Sequence, residues 1–309
     1  MTTRLSWIAS PAIACRHAAE WLAAGGVPAA ATTAELLTAK FAEPAAALAA
    51  FLDDRQIPRR EFFDHLTPAG CDDVGMRHAA HTALTKSVGR ARAEPLVETL
   101  VGLLADCEQA YFAAFPNLRS ELELRYGPLR KLWETARAGP DRSRRARRPI
   151  AGSYPKRRAW RRCCRLARGG GWSAAASNTV VFEMVLADPI AGLPETVRLG
   201  WLVSQLNFDL PDFSELLAPG TARVVAACAM LPVVLEAAAD LEMLRLDEDG
   251  HLLATAAEAW LPSALKSADV ILSPARLAAL RGWRETSRRN DAPWGVKLKA
   301  LERLLSEAE

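Results

Sequence analysis

Between Arg142 and Arg168 the chain has no acidic residue at all, although that stretch holds 12 lysines and arginines. None of the six cysteines (Cys15, Cys71, Cys107, Cys163, Cys164 and Cys228) forms a CxxC pair, so neither a zinc ribbon nor a disulfide framework is indicated. No apolar run approaches the roughly 18 residues of a membrane span. A GxSxG elbow, a Walker loop and a GxGxxG after a strand are also missing, which removes the usual sequence signs of acyl transfer and nucleotide binding. Gly169-Gly170-Gly171 precedes the best strand candidate instead of following it, the wrong order for a phosphate loop. Tyrosine occurs only three times, and Val, Ile and Thr are sparse outside one short stretch. That poverty in β-formers, against abundant Ala and Leu, favours helix.

The 309 residues suffice for one large domain or two ordinary ones. Half of them are hydrophobic and 24% charged, the balance of a globular chain. Charge is informative once it is divided. Residues 1–141 carry 15 basic and 17 acidic groups, residues 169–309 carry 12 and 19, and the 27 residues between them carry 12 and none. The net +3 therefore comes from one segment set in an otherwise acidic protein.

Periodicity predicts a mostly α fold of bundle-like helical lobes with a minor β element. Helices are expected at Pro11–Ala24, from Thr33, from Pro44, at Pro58–Leu66, at Pro95–Phe115 and from Leu118 onward. In the second half they are expected at Pro194–Leu206, Thr221–Leu244 with a kink at Pro232, Ala254–Trp260, Pro274–Trp283 and Gly295–Ala308. SNTVVFEMVLADP predicts a strand near 178–187. A hairpin near 244–253, turning at Asp249-Gly250, is its expected partner. The division is a lobe at 1–135, an anomalous or disordered Arg/Gly-rich segment at 136–177, and a lobe at 178–309.

Four features could carry function. Asp64, His65, Cys71, Asp72, Asp73, His78 and His81 are the most metal-like group, and Asp72 with His78 and His81 could centre a metal-dependent hydrolase. His78 and His81 share a helix face, yet the spacing matches no established motif. The competing expectation is a helix starting near Val74, capped by Asp72 or Asp73. In Leu193–Pro211, Val197, Trp201, Leu202 and Leu206 form an apolar stripe. Arg198 and Gln205 could project from a buried helix into a groove, or this is a core helix whose Arg198 pairs with Glu195, charged residues on a helix usually forming a solvated face. The N-terminal Ala-Ile-Ala before Cys15 faintly matches a lipoprotein cleavage site, against an amphipathic helix carrying Ile13, Trp21 and Leu22.

The basic segment is the fourth. Arg144, Arg145, Arg147, Arg148, Arg157, Arg158, Arg161 and Arg162 could grip nucleic acid or another polyanion, with Tyr154 and Trp160 stacking on bases. Its composition argues otherwise. The cations are nearly all Arg, and they come with Cys163, Cys164, Trp160 and Trp172, residues that solvated arms avoid. Arg, Gly, Ala, Pro, Cys and Trp are what a GC-rich gene yields out of frame. Residues 136–177 are therefore read as a frame-shifted replacement of a native segment, with a true basic arm and a basic structured insertion as the alternatives, and nucleic acid is a partner only if they are genuine.

Tyr126–Glu134, Asn178–Pro189 and Leu193–Pro211 resemble a group of uncharacterised bacterial helical proteins. The resemblance implies that these segments belong to a folded core and that ordinary protein belongs between them. The expected function is a cytoplasmic, non-catalytic binding or scaffold protein with a protein partner, no cofactor and no membrane.

Overall fold

Ser10 turns the chain from strand to helix in a single residue. Its carbonyl accepts from the Ala14 N–H at 3.2 Å and its hydroxyl from the Ile13 N–H at 3.4 Å, while Pro11 fills the first helical position, where an N–H would go unused. β1 (Leu5–Ala9) thus runs directly into α1 (Pro11–Ala23). This is a computed structural model, and it describes residues 5–23, 31–69, 75–138, 159–164, 171–174, 178–183, 190–208, 210–218, 220–247, 249–265 and 272–308.

The fold is mostly α with a minor β element. Seven further helices precede the sheet's remaining strands: α2 (Ala31–Lys40), α3 (Ala42–Asp54), α4 (Arg59–Ala69), α5 (Met76–Val88), α6 (Arg90–Ala93), α7 (Val97–Ala114) and α8 (Leu118–Ala138). Then come β2 (Ala159–Cys164), β3 (Gly171–Ala174) and β4 (Thr179–Glu183). The chain continues through α9 (Glu195–Ser204), α10 (Pro211–Ser214), α11 (Ala222–Asp240), α12 (His251–Leu265), α13 (Pro274–Arg289) and α14 (Trp294–Glu307).

The sheet order is β1-β2-β4-β3. β1, β2 and β4 are parallel, and β3 runs antiparallel to β4, with Asn178 in the left-handed region at φ 51° just before β4. All five residues of β4 are buried, as expected of a strand covered on both faces. Alternation along β4 assigns the faces. Glu183 meets His17 of α1 on one side, and the Phe182 ring lies under the Arg198 guanidinium of α9 on the other. The minor β element is therefore the joint between the two sets of helices.

Two expectations need correcting. Residues 244–253 are not a hairpin: turns and bends lead to His251, which opens α12. Leu253, Ala256, Ala257, Trp260 and Leu261 are all buried at helical spacing, so the period of 3.6 overrides the short alternation around Asp249-Gly250. The other is α5, which begins at Met76 with Gly75 as its cap and no side-chain capping bond. Within segment 136–177 the residues described after α8 are those of β2 and β3, and β2 is an interior strand.

α11 shows how the second lobe is built. Every residue from Val225 to Leu235 is buried, including Pro232, so the helix is apolar on all sides because it is surrounded by protein. By length and composition alone it is also long and apolar enough to cross a membrane.

Candidate functional site

Only part of the group expected to hold a metal falls among the described residues. Asp72, with Cys71 and Asp73, lies outside the described residues. His78 is exposed on α5, and His81 Nε2 lies 3.2 Å from Glu94 Oε2. Asp64 turns elsewhere, to Arg223 at 3.3 Å, and burial lowers the pKa of His65. Among the described residues no group of three His, Cys, Asp or Glu side chains could hold a metal ion.

Of the polyanion candidates, Arg144, Arg145, Arg147, Arg148, Arg157 and Arg158 also lie outside the described residues. Arg161 and Arg162 fall in β2, where the register sets Arg161 between Trp7 and Val180 and Arg162 between Ile8 and Val181. A backbone paired on both sides is not a free arm.

Arg198 and Gln205 do not project into a groove. Arg198 is 2% exposed, donates from Nε to Glu195 Oε1 at 3.0 Å, and reaches Glu195 Oε2 and the Glu183 carbonyl (2.7 Å) through Nη2. Its Cζ stands 3.9 Å from the centre of the Phe182 ring, a cation–π geometry. The pairing with Glu195 on a core helix matches the second expectation. Gln205 donates to the Trp201 carbonyl at 3.1 Å, and the Ser173 hydroxyl lies 3.5 Å from its Oε1.

Sequence reasoning missed the polar groups of α1. Arg16, His17 and Glu20 are all buried, on a helix expected to bury only its apolar side. Arg16 reaches the Leu66 carbonyl and Glu108, and burial lowers the Arg16 pKa while raising that of Glu108. His17 Nε2 stands 2.6 Å from Glu183 Oε1, with the Trp172 ring 4.6 Å from the imidazole. The other ring nitrogen, Nδ1, is buried and has no hydrogen-bond partner among the described residues. The pair sits at the carboxyl edge of the parallel strands. No single-sequence signal joins His17 to Glu183, 166 residues apart.

Arg223 completes this polar layer. It donates to Asp64 and, at 2.8 Å, to the Ser173 carbonyl on edge strand β3, tying α11 to α4 across the sheet edge. The thiols take no part. Burial pushes Cys15 well up and raises Cys107 and Cys228 to about 12, so all three are inert apolar fillers at neutral pH.

Most of the interior polarity is thus spent on joining elements. The outer face of α8 is different. Leu124 and Leu132 are 71% and 61% exposed, and Pro128, midway between them, is exposed too. Spaced four apart, the three form one stripe about 12 Å long. The opposite face of α8 is anchored by buried Leu118, Leu122 and Leu129, by Tyr126 beside Trp7, and by Trp133 against Gly200.

No protein-family model matches the chain, and neither a curated protein nor a solved structure matches it.

Proposed function

We propose that this chain is a non-catalytic helical scaffold that binds a protein partner through the outer face of α8. The observation that carries this reading is the exposure of Leu124 and Leu132 on one stripe of a helix whose other face is fixed to the core. Single exposed leucines are ordinary, but two aligned on a rigid helix with a proline between them make a preformed apolar seam. Rigidity matters because a partner meeting a helix already in place loses less conformational entropy on binding. The buried ion pairs support the same reading, since they hold α1, the sheet and α9 in register. A cytoplasmic setting belongs to the proposal, and the free thiols at Cys15, Cys107 and Cys228 support it.

The test is an apolar dye, 8-anilinonaphthalene-1-sulfonate, titrated into the full chain and into Leu124→Ser/Leu132→Ser. The proposal expects dye binding that the double variant loses while its helical circular dichroism and melting temperature stay unchanged. Equal dye binding by both proteins would remove α8 as the binding face.

A further inference from the structure

We draw no further inference here: the strongest candidate, the buried His17–Glu183 pair at the carboxyl edge of the parallel strands, belongs to the polar layer already described, and among the described residues no third metal-ligating side chain joins it.

Discussion

Replacing Arg198 with methionine removes the most heavily bonded buried charge in the described structure at little change in side-chain volume. Arg198→Met takes the guanidinium from the buried Glu195 carboxylate, from the Glu183 carbonyl and from the Phe182 ring together. Truncating one side of a buried pair costs about 3–5 kcal/mol, chiefly because the remaining charge stays in a low-dielectric site. For 309 residues the unfolding entropy near the midpoint is about 0.65 kcal/mol per degree, so a loss of about 4 kcal/mol lowers Tm by about 6 °C. Removing both charges, as Arg198→Met/Glu195→Met, should recover most of that loss, leaving about 1 kcal/mol. Urea unfolding followed by circular dichroism measures each value, and an unchanged slope shows that the unfolded state is the same. A single variant within about 1 kcal/mol of the parent, or a double variant no better than the single, refutes the claim that this pair clamps α9 to the sheet.

Gly171→Ala should destabilise by about 1–3 kcal/mol, since a Cβ there would stand 2.7 Å from the Val181 carbonyl oxygen and 2.9 Å from Leu202 Cδ1. Gly102→Ala, in open space on α7, should instead stabilise by about 1 kcal/mol, and paired thermal melts check both signs. Cys15, Cys107 and Cys228 should resist iodoacetamide at pH 8 in the folded chain and all react in urea, read peptide by peptide by mass spectrometry. Their raised pKa values mean that the unfolded chain loses thiol protons first. Stability from Cys107 and Cys228 is complete below the unfolded value of 9.0 and is lost as pH climbs toward 12, which unfolding midpoints at pH 8 and 10.5 will show. We further propose that residues 136–177 are out of frame, because β2 offers Arg161-Arg162 at interior parallel positions that ordinarily carry apolar residues. The coding DNA should then yield an apolar, β-branched run across 159–164 in another frame; two alternative frames without such a run would end the idea.

The helices were legible because their signals are local. Pro11 and the Leu96–Ala114 repeat mark α1 and α7 within a residue or two, and Pro274 marks the start of α13, which runs past its expected end at Trp283 to Arg289. β4 was legible for the same reason, in the run Thr179–Phe182. The sheet was not, since β1 is only five residues long, and its neighbour β2 reads as a basic run. Without the sheet, nothing in the sequence explained why α1 buries Arg16, His17 and Glu20. Arg198 shows the remaining limit. Its spacing to Glu195 predicted the pair, but burial depends on β4 and Phe182 arriving from elsewhere in the chain. The α8 stripe was not legible, because only packing decides which leucines of an amphipathic helix stay outside.

Hydrogen–deuterium exchange of the full chain with and without saturating 8-anilinonaphthalene-1-sulfonate tests the binding face most directly. The account predicts slower exchange across Leu118–Ala138 when the dye is bound, with the remaining helices unchanged. Identical exchange of α8 with and without the dye, or protection confined to other helices, would contradict it.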